Sequence, residues 1–137
     1  MIREKLSSSG PYAFDVSDVL KRRILFVEDH CDTRHVLSKL LRHFGYFVDS
    51  AENYRSASDL LAMSQFHVLL CDIDLPDGNG CDLVKEAKQR QPLIGIALTA
   101  YSSRDDVQRG RDAGFDHYLC KPCDISELRT ILSQVSG

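Results

Sequence analysis

Five short, largely apolar runs recur along the chain, and a segment of helical periodicity follows each one. The runs are Ile24-Leu25-Phe26-Val27, Tyr46-Phe47-Val48, His67-Val68-Leu69-Leu70-Cys71, Leu93 to Leu98, and Phe115 to Cys120. Runs this short with so little polar interruption fit strands covered on both faces, as in a parallel sheet. Tyr46-Phe47-Val48 reads as the most exposed of them. After the first run, Val36, Leu37, Leu40, Leu41 and Phe44 recur at helical spacing, and Gly45 follows as a stop. Ala57, Leu60, Leu61 and Met63 mark a second helix, and Leu83, Val84 and Ala87 a third. The fourth spans Arg104 to Ala113 and is closed by Gly114. The fifth has the clearest start: Asp124 precedes Ile125, and Glu127 sits three residues on, as in a capping box. Ile125, Leu128, Ile131, Leu132 and Val135 then form its apolar face. Such alternation predicts an α/β fold with helices on both faces of a parallel sheet. Right-handed crossovers leave few topologies for it.

The polar residues that interrupt this pattern fall at the C-terminal ends of the runs. Glu28 and Asp29 follow the first, Asp72 the third, Thr99 the fourth and Lys121 the fifth. In an open α/β sheet, ligands bind outside those carboxyl ends, where strand order reverses. Each residue alone reads as a helix cap or a turn. Together they predict one pocket built from distant parts of the chain. Carboxylates brought close repel one another, and a hard divalent cation relieves this. A few carboxylates with water suit Mg²⁺. An ammonium and a hydroxyl suit the oxygens of a phosphoryl group, and a carboxylate can serve as nucleophile to form an aspartyl-phosphate. Asp72, which ends the buried third run, at the sheet centre if the strand order is 2-1-3-4-5, is the expected nucleophile.

The 137 residues suit one domain. A net charge of -3, with no Lys/Arg stripe, gives no case for direct nucleic-acid binding. No apolar stretch reaches the roughly 20 residues needed to span a bilayer. The five cysteines follow no repeating frame, and Cys31, Cys71 and Cys81 read as small buried hydrophobes. A reducing cytoplasm is the expected compartment. Residues 1–21 contain Ser7-Ser8-Ser9-Gly10-Pro11 and read as an extension or linker; residues 22–137 read as the domain.

In these motifs the sequence resembles the receiver domains of two-component response regulators. The acidic pair stands in Ile24-Leu25-Phe26-Val27-Glu28-Asp29. The acceptor motif is Leu70-Cys71-Asp72-Ile73-Asp74-Leu75-Pro76, followed by Asp77-Gly78-Asn79-Gly80. Leu98-Thr99-Ala100 and Tyr118-Leu119-Cys120-Lys121-Pro122 complete the set. The resemblance implies a flavodoxin-like (βα)5 fold with strand order 2-1-3-4-5. It implies phosphorylation of Asp72 by a histidine kinase or histidine phosphotransferase. It implies Mg²⁺ held by Glu28, Asp29 and Asp72 and by the backbone carbonyl of Asp74. Thr99 and Lys121 would contact the phosphoryl group. Tyr118 would be an aromatic switch, with Thr99 and Ala100 near the readout face. The output partner stays open, and homodimers are compatible. Asp74 and Tyr101 stand where phosphoryl lifetime is tuned. Ile96 to Tyr101 and Ala113-Gly114-Phe115-Asp116 look like receivers of hybrid histidine kinases. Lys121-Pro122 is a bond often cis in the family.

Three other readings compete. Asp72-Ile73-Asp74 resembles the Asp-x-Asp of haloacid-dehalogenase-type phosphohydrolases, but Leu75-Pro76 departs from that pattern, and Glu28-Asp29 would have no role. His117, Cys120 and Cys123 have the spacing of metal ligands or of a redox Cys-x-x-Cys, without a fourth ligand. A flavodoxin-like small-molecule binder is the third, but glycine-rich Asp77-Gly78-Asn79-Gly80 lacks a phosphate-cradling fingerprint and reads as the turn into the third helix. His30, His35, His43 and His67 read as solvent-facing or capping.

Overall fold

Successive strand residues point to opposite faces of a sheet, and this alternation divides the core in two. In β1 (Arg23–Val27), Ile24 and Phe26 join one cluster while Leu25 and Val27 join the other. A computed structural model describes residues 22–100 and 103–135. The expectations for Met1 to Lys21 and for Tyr101 lie outside the described residues. The remaining long strands are β2 (Phe47–Ala51), β3 (Val68–Asp72), β4 (Ile94–Thr99) and β5 (His117–Cys120). They pair in parallel in the order β2-β1-β3-β4-β5, the flavodoxin-like arrangement. The helices are α1 (Cys31–His43), α2 (Tyr54–Met63), α3 (Gly80–Arg90), α4 (Arg104–Ala113) and α5 (Ile125–Ser133).

Ala57 and Leu61 of α2, Leu83, Val84 and Ala87 of α3, and Ala113 of α4 pack on the face of Leu25, Leu69, Cys71 and Ala97. Leu37 and Leu41 of α1 and Leu128 and Leu132 of α5 cover the opposite face, over Phe26, Leu70, Ile96 and Leu98. Each fully buried Leu, Ile or Phe contributes roughly 1.5–3 kcal/mol by leaving water. Every residue of β3 is buried, as expected of the strand at the sheet centre.

The helix faces depart from expectation in places. Val36 and Met63, both assigned to apolar faces, are exposed at 64% and 80%. Ser38 takes the inward place beside Leu37, and its buried hydroxyl has no hydrogen-bond partner. Cys31 is exposed at the first position of α1 and Cys81 is half-buried, so of the three only Cys71 is the buried hydrophobe expected. His67 is half-buried, and its Nδ1 accepts from the Arg23 N–H at 3.0 Å. The Asp77-Gly78 turn is also more structured than expected. Asp74–Leu75 pairs antiparallel with Gly78–Asn79 as a two-residue ribbon between β3 and α3. Lys121-Pro122 is cis. Among the described residues, no helix is long and apolar enough to cross a membrane.

Candidate functional site

Parallel register brings the strand ends level. Val27 pairs with Cys71 across β1 and β3, Asp72 with Leu98 across β3 and β4, and Thr99 with Cys120 across β4 and β5. The residue at or just after each end therefore opens onto one edge of the sheet. Glu28 is fully buried there, Asp72 is 6% exposed and Thr99 1%, while Asp29 is exposed.

Lys121 joins them. Its Nζ donates to Glu28 Oε1 at 2.9 Å and to Asp72 Oδ2 at 2.8 Å. Its backbone N–H donates to the Thr99 carbonyl at 2.7 Å, which fixes where the side chain starts. The second oxygen of Asp72, Oδ1, accepts from the Asp74 N–H at 3.3 Å. Asp74 itself is exposed, at the base of the ribbon. Ala100 follows Thr99 and is exposed.

The charges explain the proton affinities. Burial pushes the Asp72 carboxyl above its ordinary value; hydrogen bonding and charge from Lys121 pull it down, and the Glu28 charge adds to the rise. Burial also pushes Glu28 up, but hydrogen bonds from Lys121 and His30 together outweigh it and hold that carboxyl below its ordinary value. Burial works against the Lys121 ammonium, and its bonds to Asp72 and Glu28 reverse this and raise it.

His30 is the residue that sequence reasoning placed least well. Its ring is exposed as expected and it stands at the N-cap position of α1, but its side chain makes no capping bond. Instead its Nδ1 lies 3.0 Å from Glu28 Oε2, the oxygen that also accepts from the His30 N–H. Among the described residues, Glu28, Asp29 and His30 are the group whose ligand atoms lie close enough to share a metal ion, all within 4.8 Å of one another. His117, Cys120 and Cys123 are not brought together in this way; Cys120 is exposed, Cys123 half-buried, and both are free thiols.

The donor set fits a hard divalent cation. Glu28 and Asp29 supply carboxylate oxygens that lie together, Asp72 stands outside that group and is tied to Glu28 through Lys121, and one ammonium answers the three negative charges. Two negative charges are left over where two of the three carboxylates are buried, which is the deficit a divalent ion fills.

Beside this cluster a cleft of about 660 Å³ opens between α3 and α4, with Thr99 and Tyr118 in its wall. The Thr99 side chain lies close enough to the Tyr118 hydroxyl to act on its proton affinity. Burial and the nearby Asp106 charge raise the Tyr118 hydroxyl, and Thr99 partly opposes them. The Tyr118 ring packs on Gly110 of α4, where an added Cβ would lie 3.0 Å from the ring.

Known proteins resemble this chain in sequence and fold. The response regulator protein PilR of Pseudomonas aeruginosa is 37% identical over 114 residues, covering 82% of this chain. The chain spans only 26% of PilR's own length. The CheY-like receiver domain protein of Methanospirillum hungatei superposes with a TM-score of 0.78 at 28% identity, covering 83% of this chain and 92% of that one. The receiver domain of Ssk1 from Saccharomyces cerevisiae, crystallised with the histidine phosphotransfer protein Ypd1, superposes at 0.77 with 26% identity, covering 85% and 89%. The family profile of the response regulator receiver domain matches residues 24–133, so this chain belongs to that family.

Proposed function

We propose that Asp72 accepts a phosphoryl group from the phosphohistidine of a histidine kinase or histidine phosphotransferase, and that this modification alters the face around Ala100 and Tyr118 for an output partner. The observation that carries the reading is the Lys121 ammonium bridging two buried carboxylates, Asp72 and Glu28, at the end of the central strand. An Asp72 oxygen attacks phosphorus, the P–N bond to histidine breaks, and imidazole leaves. Lys121 then pairs with a phosphoryl oxygen, and the Thr99 hydroxyl donates to another. That demand draws Thr99 away from its neighbour Tyr118, so phosphorylation lets the tyrosine ring take another position. Glu28, Asp29, Asp72 and the Asp74 carbonyl would hold Mg²⁺, which supplies positive charge to the transferring group when bound.

The Ssk1 receiver's co-crystal with Ypd1 supports a phosphotransfer protein as one class of donor. Residues 22–137 form the module in this reading, and residues 1–21 an extension leading into it. It acts as a signalling phosphoacceptor that catalyses only its own phosphorylation and dephosphorylation. Five free cysteines suit a reducing cytoplasm. The phosphohydrolase alternative has no observation in its favour, since Glu28 and its bond to Lys121 would have no part in it.

The test is intact mass after incubation with Mg²⁺ and acetyl phosphate. The wild-type chain should gain about 80 Da, one phosphoryl group. The gain should need Mg²⁺ and vanish in Asp72→Asn. A wild-type chain that stays unmodified even with a cognate phosphotransferase would sink the proposal.

A further inference from the structure

The ribbon that follows Asp72 is too short to hold itself. A two-residue pairing is marginal in water, yet it carries Asp74, whose N–H contacts Asp72 and whose carbonyl the reading above assigns to the metal. Its two ends are anchored elsewhere. At the base, the Gly80 N–H donates to the Ile73 carbonyl at 2.7 Å, and the Asn79 side chain caps α3 by accepting from the Cys81 N–H at 2.7 Å. At the tip, the Asp77 carboxylate reaches another helix. Oδ1 accepts from the Tyr54 N–H at 2.7 Å and Oδ2 from the Arg55 N–H at 3.1 Å.

Tyr54 and Arg55 open α2, and the first N–H groups of a helix have no partner within it. Asn53 answers the third, from Ser56, at 2.8 Å. Asp77 answers the first two from 23 and 22 positions away, and its charge lies at the positive end of the helix dipole. The same tyrosine holds the tip in two further ways. Its ring lies over Gly78 so closely that a Cβ there would be 2.8 Å from the ring. Its hydroxyl donates at 2.9 Å to Glu86 of α3, which also accepts from Ser58 of α2 at 2.5 Å.

We infer that Asp77 is a positioning residue for the phosphoryl-transfer site: by capping α2 from the tip of the ribbon, it holds the loop that presents Asp74 to the metal. The inference rests on the proposed function and goes beyond it, because Asp77 touches neither the metal donors nor the acceptor. Losing the cap lets the ribbon open, and Mg²⁺ binding must then bear the ordering of residues 73–80.

The experiment is calorimetric titration of the 137-residue chain with Mg²⁺, for wild type, Asp77→Ala and Asp77→Asn, with amide exchange of residues 73–80 followed in the metal-free protein. Asp77→Ala should bind Mg²⁺ about tenfold more weakly, the lower end for residues that orient ligands indirectly. Its amides at 73–80 should exchange faster while those of β1 and β3 do not. Asp77→Asn keeps one acceptor oxygen without the charge. Neutral hydrogen bonds are about half as strong as charged ones, so its loss should be about threefold. It decides the question where Asp77→Ala does not fold. A variant that folds, binds Mg²⁺ as the wild type does and exchanges no faster overturns this inference alone. A wild type that neither binds Mg²⁺ nor gains a phosphoryl group overturns the proposed function and this inference with it.

Discussion

Lys121→Met removes the ammonium from the site and keeps most of the stem. Its consequence follows from three facts: Glu28 is fully buried, Asp72 nearly so, and Nζ lies within 2.9 Å of both. At that separation and an effective dielectric of about 20, each attraction is about 6 kcal/mol before desolvation is subtracted. Desolvation cancels most of it, which is why ion pairs of this kind add little when intact. Removing one partner is different, because the buried carboxylates stay behind uncompensated at a cost of about 3–5 kcal/mol. A domain this size has about 5–15 kcal/mol in hand, so the variant should fold but melt early. Urea denaturation followed by circular dichroism, at pH 7 with chelator, should show that loss. Saturating Mg²⁺ should recover much of it, since the divalent ion answers the same charges. Lowering the pH to 5 should also recover part. Without Lys121 the Asp72 carboxyl, already raised by burial, binds its proton tighter still in the folded state, and such a group makes stability rise as pH falls. In the wild type, Lys121 has its pKa raised above 10.5, so its contribution is complete below that value and is lost only as pH rises through the raised one. In the wild type the raised Asp72 and the lowered Glu28 pull in opposite directions as pH falls, so its recovery between pH 7 and 5 should be smaller than the variant's. A loss below about 1 kcal/mol with chelator, or one indifferent to Mg²⁺, would refute the reasoning, because the carboxylates would then be better solvated than their burial implies.

Two further variants probe the loop and the core. Gly80→Ala would place a Cβ 2.5 Å from the Asp72 carbonyl oxygen and 2.9 Å from Ile73 Cα, both backbone atoms that cannot step aside. It should cost about 2–3 kcal/mol in urea denaturation and slow phosphorylation of Asp72 by acetyl phosphate. Unchanged values on both would show that the loop is looser than it looks. Ser38→Ala removes a buried hydroxyl with no hydrogen-bond partner and improves helix propensity. It should raise stability by about 1 kcal/mol, read from the same denaturation curves; a loss instead would point to a partner for that oxygen.

The fold was legible because strand burial on both faces leaves an unmistakable apolar run and because helix stops are local. Gly45 and Gly114 both adopt positive φ after their helices, at 101° and 121°, as the sequence signal required. The site was legible for a related reason: an acidic residue, a hydroxyl or a lysine directly after a buried strand has few places to go except the sheet edge. Periodicity gives the direction of a helix face but not its width. Val36 sits just off the stripe of Leu37 and Leu41, and Met63 lies at the last residue of α2, where the neighbouring layer no longer covers it. Contacts between segments left no local mark at all. Nothing near Asp77 in the sequence says that it caps a helix 22 residues earlier. The ribbon at Asp74 was hidden by its length, since two residues cannot display a period.

The bond between Lys121 and Glu28 spans 93 positions of the chain, and Lys121 stands just past β5, an edge strand of four residues. Asp72 belongs to the central strand, locked between two neighbours. Edge elements exchange with solvent through small openings that leave the rest of a domain folded. A brief detachment of β5 and α5 would thus withdraw the ammonium from the pocket while the nucleophile and its acidic neighbours stayed in place. The two halves of the site would then have separate lifetimes, one set by the central strand and the other by a local opening at the sheet's edge.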